Sequence, residues 1–362
     1  MSSDQPTQAK PKPWLPSERS QGKGRRAVWV SAILGVAIPI AVNAAMLWAV
    51  PKLKKAQAIV DRKWQLVDRG PTEGERPWLV VGDSSGNQGI DTDALSAKLG
   101  APVYNLCTIG DMLTLDDAWM LGRWMEEHGP PRGVIMIHVY DMWSREPEPA
   151  VFSMINPNDM PPQPDPPTGF TDAEQRTIRI HRWLPLIMAN TTAKRAIVNA
   201  GRSLSILSSN DPFADSGSMN ERGFLSIDRA TPDKVRVDAI LHSRRLEAAG
   251  EPPTVSATNR AGLTSVLERC RDSGVPVFLL HAPTARPLAE DPIFQIYFAK
   301  VHNQLADILQ SVGAGTLLFS EPVVFEPEVM ESSDHLVGVS AAEFSSAVGI
   351  ALLASMRETG DN

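Results

Sequence analysis

A hydroxyl and an imidazole stand where two turns of this chain could expose them. Ser84 comes two residues after the apolar run 78–82, and His335 precedes an apolar C-terminal segment. A serine hydroxyl activated by a neighbouring imidazole attacks acyl carbonyl groups, and the backbone N–H of Gly110, after a second apolar run, could meet the developing oxyanion. Taken singly, the ordinary interpretations are a serine that caps a helix, a glycine in a turn and a surface histidine. Only their combination predicts acyl chemistry.

The elements that must position these residues alternate between apolar runs and helical patterns. The predicted strands are 78–84, 102–110, 133–141, 275–283 and 315–320. The predicted helices are 91–100, 114–128, 259–273, 293–312 and a last one after Gly338. Strands that are apolar on both faces and separated by helices are typical of a parallel sheet. We therefore predict a three-layer α/β/α sandwich with a five-stranded parallel sheet, which binds ligands beyond the carboxyl ends of its strands.

The alternation stops over residues 142–255, which are rich in proline at their start. Proline removes a backbone donor and fixes φ, so it interrupts helices and strands alike. We interpret this stretch as an insertion or lid, with one helix predicted over 171–202.

Residues 27–50 run for 24 positions without a charged side chain. This length suffices for a helix across a hydrocarbon core of about 30 Å, and Trp29 and Trp48 stand where indole rings favour the membrane interface. A cleaved signal peptide is the competing interpretation. We favour an uncleaved transmembrane helix, because the run exceeds a signal-peptide core and no small-residue cleavage motif follows it.

The segments that flank the predicted span differ in composition. Residues 1–26 are polar, contain proline and lack periodicity, which predicts a disordered tail. Residues 51–76 are predicted to form a helical stalk, and 77–358 the folded domain. Basic residues stand on both sides of the span, but Lys10, Lys12 and Arg19 add to the N-terminal side. We therefore expect the N-terminus to be cytoplasmic.

Composition excludes several classes of function. The net charge of −7 argues against a nucleic-acid partner, since phosphate recognition requires a basic surface. The only cysteines, Cys107 and Cys270, exclude a disulfide scaffold and a cysteine zinc site, and we predict buried free thiols. Neither a histidine–carboxylate cluster with metal spacing nor a glycine-rich phosphate loop occurs, so we expect no cofactor and no metal.

Three stretches resemble the conserved blocks of the SGNH (GDSL-like) hydrolase superfamily. They are VVGDSSGNQGI at 80–90, YNLCTIG at 104–110 and SSDHLVGVSAAEF at 332–344. The resemblance covers roughly 77–141 and 256–358 and implies a flavodoxin-like SGNH fold. It also implies that Ser84 is the nucleophile, that His335 is the general base, and that the N–H groups of Ser84 and Gly110 line the oxyanion hole.

The third block departs from the G-x-N-D pattern of that superfamily. Here the predicted strand ends in HVYD at 138–141, so Tyr140 takes the position of the asparagine that donates to the oxyanion. A tyrosine hydroxyl can donate as well, and we expect Tyr140 in the oxyanion hole. His138 and His281, at the ends of two predicted strands, are interpreted as core or loop histidines.

The last block lacks the aspartate that stands three residues before the histidine in the superfamily. Ser332 occupies that position. Glu331 and Asp334 are the carboxylates that could orient the imidazole instead. We include Asp334 among the catalytic candidates, although its adjacency to His335 is expected to direct its side chain away.

The N-terminal span combined with these blocks looks like the membrane-tethered SGNH-like proteins of bacterial exopolysaccharide and cell-wall acylation. The resemblance implies an extracytoplasmic serine esterase or O-acyltransferase that acts on a glycan, with a membrane-embedded acyltransferase as the partner that supplies the acyl group. A catalytically inactive SGNH-like module that binds polysaccharide or scaffolds a membrane complex is the second hypothesis, which the replacements at Tyr140 and Ser332 favour. A generic flavodoxin-like fold without this chemistry is the third.

Overall fold

The computed structural model describes residues 29–38, 40–41, 55–152, 155, 169–183, 217–250 and 254–359. The chain divides into two compact units, Met1–Trp48 and Ala49–Asn362. In the first unit, the described part of the predicted span forms helix α1, Trp29–Ile38, with exposed apolar side chains. The predicted tail 1–26 and residues 27–28, 39 and 42–50 of the predicted span lie outside the described residues.

The second unit is an α/β domain built on a five-stranded sheet. Its strands are β1 (Trp78–Gly82), β2 (Val103–Asn105), β3 (Gly133–His138), β4 (Gly217–Met219), β5 (Leu225–Ile227), β6 (Val277–His281), β7 (Thr284–Ala285), β8 (Thr316–Leu317) and β9 (Val324–Phe325). Its α-helices are α2 (Lys55–Arg69), α3 (Ser84–Gly89), α4 (Thr92–Leu99), α5 (Leu113–His128), α6 (Pro149–Phe152), α7 (Asp172–Trp183), α8 (Pro232–Ala249), α9 (Ala257–Asp272), α10 (Arg286–Ala289), α11 (Pro292–Val312) and α12 (Gly338–Thr359). Short 3₁₀ turns span Gly110–Met112, Met142–Ser144 and Pro327–Val329.

The main sheet has the order β2-β1-β3-β6-β8, and every pairing in it is parallel. This confirms the predicted five-stranded parallel sheet. Strand β2 spans only Val103–Asn105, but the chain stays alongside β1 beyond it, since the Leu106 and Thr108 N–H groups donate to the Val80 and Gly82 carbonyls at 2.7 and 2.8 Å. The Asn105 side chain joins this edge to α3. Its Nδ2 donates to the carbonyls of Gly86 and Ile90, at 2.9 and 3.1 Å, and its Oδ1 accepts from the Cys107 N–H. The Asn105 amide thus bonds carbonyls in and just after α3 as well as the backbone N–H of Cys107.

Alternate residues of the central strands face two separate apolar cores. Leu79 and Val81 of β1 pack into a core with α2, α5, α9 and α11, whereas Trp78 and Val80 pack into a core with α4 and α12. Helices therefore cover both faces of the sheet, which explains why its strands read as continuous apolar runs. Both cysteines are buried and free, as predicted.

The predicted stalk requires a correction, since its helix α2 belongs to the folded domain. Val60, Trp64 and Val67 are buried in the core. Lys63 is fully buried as well, and its Nζ donates to the carbonyls of Asn105 and Gly223 at 2.8 and 2.6 Å. The sequence did not predict this buried face of α2, because a lysine is normally found at an exposed position.

The described residues of 142–255 contribute no strand to the main sheet. They form α6, α7, the antiparallel hairpin β4–β5 and α8. The helix predicted over 171–202 is present as α7 up to Trp183, and 184–202 lie outside the described residues. The hairpin joins the end of β2 through a hydrogen bond from the Asn105 N–H to the Arg222 carbonyl.

Among the described residues, one helix is long and apolar enough to cross a membrane, Gly338–Glu358 within α12. It packs against α3 and α4 through Ala341, Phe344, Val348 and Leu352, and 39% of its apolar window is buried. A core helix of a soluble domain passes the same test of length and composition, so this is weak evidence for membrane anchoring.

Candidate active site

The turn that carries Ser84 is dictated by a close approach of two strands. Gly82 ends β1 with φ at +146°, and a Cβ placed on it would lie 1.9 Å from the Ile137 carbonyl oxygen of β3. Only glycine can occupy this position, because any side chain would collide with backbone. The chain therefore leaves the sheet sharply, and Ser84 begins α3 at the carboxyl edge of β1.

Asp83 locks this turn to the neighbouring strand. Its Oδ1 accepts from the Ser85 N–H at 2.9 Å and caps α3, while its Oδ2 accepts from the Val139 N–H at 2.7 Å. Asp83 is buried and Ser84 is partly exposed. The turn thus holds the Ser84 hydroxyl toward solvent, on backbone that the hydrogen bonds of Asp83 fix in place.

The structure brings Ser84 and His335 together across 251 residues of sequence. The His335 Nε2 lies 2.9 Å from the Ser84 Oγ, which is hydrogen-bond distance. His335 comes from a tight loop in which its carbonyl accepts from the Glu331 N–H and Met330 bridges to Leu336. Its side chain is 18% exposed, so the imidazole is shielded but reachable.

The other ring nitrogen of His335 meets a hydroxyl instead of a carboxylate. Ser332 Oγ lies 2.5 Å from His335 Nδ1 and donates to Asp334 Oδ1 at 2.8 Å. The hydrogen-bond directions are mutually consistent when Nδ1 carries the ring proton and donates a hydrogen bond to the Ser332 Oγ. Asp334 and Glu331 lie 3.5 and 3.8 Å from Nδ1. Although Asp334 neighbours His335 in sequence, its carboxylate turns back to the loop and meets Ser332.

Gly110 lies beside the nucleophile turn, as the sequence predicts. A Cβ placed on Gly110 would stand 3.7 Å from the Asp83 Cβ and 3.2 Å from Arg145 Nη1. The guanidinium of Arg145 is tethered over this glycine by both carboxylate oxygens of Asp141, at 3.0 and 3.1 Å, and by Asp111. Sequence reasoning missed Arg145, since no motif links it to residues 35 positions away.

Tyr140, the expected third oxyanion donor, packs its ring among other side chains of the domain. Its ring packs edge-on against Phe294, with centroids 4.7 Å apart, and against His242. Its hydroxyl is buried without a hydrogen-bond partner in the described part of the chain. Burial raises the pKa of this hydroxyl far above its ordinary value, and nearby Asp141 adds to the effect. Tyr140 therefore stays neutral.

A buried cluster of ionisable groups lies directly behind the turn. His138, at the end of β3, places Nε2 2.7 Å from Asp117 Oδ2 and Nδ1 3.6 Å from Asp83 Oδ2. Burial acts to lower the pKa of His138, but Asp117 and Asp83 outweigh it and raise the pKa to about 9. Burial likewise opposes ionisation of Asp83, yet the nearby His138 charge and the hydrogen bonds from Ser85 and Val139 lower the pKa to about 2. His138 is a core histidine, as predicted.

His281 of β6 is also buried, in register with His138. Burial, together with the charges of His302 and His138, lowers the pKa of His281 to about 3. It is therefore neutral. Asn87, on α3, is fully buried, and its amide atoms have no partner among the described residues.

No protein-family model and no curated protein sequence matches this chain. Function has to be argued from the geometry of these side chains.

Proposed function

We propose that this chain is a serine esterase or O-acyltransferase with Ser84 as nucleophile and His335 as general base. The single observation that carries the proposal is the 2.9 Å contact between Ser84 Oγ and His335 Nε2. A nucleophile within hydrogen-bond reach of a base, which is in turn oriented by a third group, is the signature of activated serine chemistry.

The reaction follows from this contact in two steps. Ser84 Oγ attacks the acyl carbonyl while its proton passes to His335 Nε2, and collapse of the intermediate expels the alcohol, which takes that proton. Water, or a sugar hydroxyl in a transferase, then attacks the acyl-Ser84 ester and gives its proton to His335. Expulsion of Ser84 Oγ, which recovers a proton, restores the starting site.

Charge stabilisation in this proposal is shared between backbone and side chains. The N–H groups of Ser84 and Gly110 serve as oxyanion donors, as the resemblance implies. Ser332 and Asp334 stabilise the imidazolium that forms on His335, because the hydroxyl passes its own hydrogen bond on to a carboxylate.

The substrate and location belong to the same proposal. We assign a glycan ester or glycan hydroxyl as substrate, no nucleic acid and no cofactor, and a membrane-embedded acyltransferase as donor in the transferase version. Residues 27–50 serve as an uncleaved anchor with the N-terminus cytoplasmic and the α/β domain extracytoplasmic. Net charge, the apolar run and the resemblance to membrane-tethered acylation proteins support these assignments.

The test uses the full-length chain purified in a mild detergent, with a chromogenic acetyl ester and a serine-directed fluorophosphonate. We expect ester hydrolysis and covalent labelling, both lost in Ser84→Ala and in His335→Gln. Ser311→Ala, which changes an exposed serine of α11, is the matched control and should leave both unchanged. A folded wild-type chain that neither hydrolyses the ester nor takes the label would rule out the enzymatic proposal.

The second candidate is a non-catalytic SGNH-like module that binds polysaccharide or scaffolds a membrane complex. The burial of the Tyr140 hydroxyl favours it, since the expected third oxyanion donor is then not exposed to a substrate. Loss of one such donor typically costs about 10²–10³ in rate. Retention of the chain on immobilised polysaccharide, equal for wild type and Ser84→Ala and without ester turnover, would select this candidate.

A further inference from the structure

His138 is nearly inaccessible, 1% exposed, and lies between two buried carboxylates. Asp117 of α5 accepts a hydrogen bond from its Nε2, and Asp83 faces its Nδ1 at an ion-pair distance slightly beyond a hydrogen bond. Its ring edge packs against the ring of Trp143 at a centroid distance of 5.1 Å. The chemistry proposed for Ser84 and His335 does not use this group.

The charge balance requires a cation between these carboxylates. A buried carboxylate without a positive partner carries a large desolvation penalty. Asp83 cannot lose its charge without cost, because it accepts hydrogen bonds from both the Ser85 and Val139 N–H groups. A protonated His138 is the group placed to balance Asp83 and Asp117 together.

Among the described residues near His138, few other charged groups could balance Asp83 and Asp117. On α5, Asp116 adjoins Asp117, and β6 contributes the neutral His281. Arg145 acts on Asp83 from the solvent side, but it is already bound to Asp141 and Asp111. The Cys107 thiol remains protonated because burial raises its pKa. Lys63, beyond Cys107, is hydrogen-bonded to Asn105 and Gly223.

We propose that His138 is a positioning residue that, as a buried imidazolium between Asp117 and Asp83, clamps the turn that presents Ser84. Asp83 is the residue directly before Ser84 and ties the turn to β3 through Val139. When the imidazolium is removed, Asp83 becomes an unbalanced buried charge and takes up a proton. It then accepts more weakly from Ser85 and Val139, and the turn loosens.

The inference rests on the proposed function for its kinetic readouts only, so the first measurement is independent of activity. Hydrogen–deuterium exchange of the full-length chain, corrected for intrinsic rates, reports on peptides that contain Ser85 and Val139. We expect exchange at least about tenfold faster in His138→Gln, as local opening becomes easier. His128→Gln is the matched control, because His128 is a partly buried histidine that bonds the Val67 carbonyl far from the turn. It should leave both peptides unchanged.

The second measurement follows the pH dependence. In the wild type, protection of these amides and kcat should both fall above about pH 9, where His138 loses its proton. In Asp117→Asn the alkaline decreases of amide protection and of kcat should both begin about one pH unit or more lower. The reason is that the Asp117 charge, which favours the imidazolium in the wild type, has been removed. In folded His138→Gln, kcat should fall at least about tenfold with little change in KM, whereas a merely structural role would lower thermal stability alone.

Two results would overturn the proposal. One is wild-type protection of the Ser85 and Val139 amides in folded His138→Gln. The other is an alkaline limb of amide protection in Asp117→Asn that coincides with that of the wild type. If His138→Gln does not fold, Asp117→Asn decides the matter. If the wild type lacks esterase activity but its Ser85 and Val139 amides still lose protection above about pH 9 as expected, the proposed function fails and the positioning role of His138 stands.

Discussion

Ser332 Oγ lies 2.5 Å from His335 Nδ1, at the position where the superfamily that this sequence resembles carries a carboxylate. The hydroxyl passes the interaction on to Asp334 Oδ1 at 2.8 Å. A neutral hydroxyl stabilises an imidazolium less than a carboxylate does, but here it connects the imidazole to a full negative charge.

The Ser332 bridge predicts an ordered effect of three substitutions on esterase activity. Ser332→Ala should lower kcat by about 10-fold to 100-fold, since an imidazole without its orienting partner loses part of the general-base contribution. Ser332→Asp should recover much of this loss, because a carboxylate then meets Nδ1 directly. Asp334→Asn should lower kcat as well. Steady-state kinetics on the acetyl ester measures all three.

Ser320→Ala, an exposed serine of the same domain, is the control for this series and should keep the kcat of the wild type. A Ser332→Ala chain with unchanged kcat and an unchanged pH profile would show that the bridge plays no part in the reaction.

Gly82→Ala should be among the most destabilising single-methyl changes in the chain. The new Cβ would meet the Ile137 carbonyl oxygen at 1.9 Å, and φ at +146° is strained for any L side chain. We expect a loss of about 3 kcal/mol or more in the free energy of unfolding, since backbone cannot yield. Urea denaturation followed by circular dichroism measures it. Gly100→Ala, at φ +62° in open space, should cost only about 1–2 kcal/mol; equal costs would contradict the close-approach argument.

Lys63→Met should destabilise the domain although methionine is apolar and fills a similar volume. The substitution leaves the Asn105 and Gly223 carbonyls and the Asn105 Oδ1 as buried acceptors that have lost this donor. We expect the free energy of unfolding to fall by about 2–5 kcal/mol. Lys98→Met, at an exposed position of α4, should change it by less than about 0.5 kcal/mol. Thermal and urea unfolding of both variants tests this, and a neutral Lys63→Met would refute it.

Asp116 should make the domain less stable as pH rises toward neutrality. Burial raises the pKa of Asp116 to about 7, against hydrogen bonds from Thr108 and Trp64, and the Asp117 charge adds to the increase. Between about pH 4 and 7 the folded state keeps a proton that the unfolded state releases. The Asp116 contribution to the free energy of unfolding therefore falls as pH rises through this window, by a few kcal/mol. His281, whose pKa is lowered to about 3 in the folded state, contributes in the opposite direction.

Between about pH 4 and 6.5 the free energy of unfolding of Asp116→Asn should rise relative to that of the wild type, because the amide does not titrate and the variant lacks the Asp116 contribution. Asp93→Asn, a change at an exposed aspartate, should keep the slope of the wild type. Urea unfolding of the wild type and both variants at a series of pH values from 4 to 6.5 measures these differences, in which the contributions of His138 and His281 cancel because both histidines are present in every chain. A slope in Asp116→Asn equal to that of the wild type would assign the effect to another group.

Much of the α/β core is readable from the sequence, because its central strands are buried on both faces. The runs that became β1, β3 and β6 are continuous apolar stretches, and each stands close to its predicted position. Elements stabilised by polar side chains were harder to predict. For example, α2 was assigned to a stalk because its buried face includes Lys63, and a lysine is normally typical of an exposed position.

The residues of the candidate site divide along the same line. Ser84, Gly110 and His335 stand in stretches of recognisable local pattern, and each lies at the carboxyl edge of the sheet or in the loop beside it. Tyr140 was expected among them by its position in a motif. Its large ring packs edge-on against Phe294, and the position of a residue in a motif does not specify such a packing contact.

The amino-acid sequence by itself determined the five strands of the main sheet, most of the helices between them, and where a reactive hydroxyl and an imidazole stand relative to them, since burial and turn chemistry act over a few residues. Only the tertiary structure decided which side chains meet. Ser84 and His335 are 251 residues apart, His138 lies between aspartates of two other elements, and Arg145 covers Gly110 from a third. Such contacts depend on strand order and register, through which distant segments share one sheet edge, and no local pattern of residues specifies them.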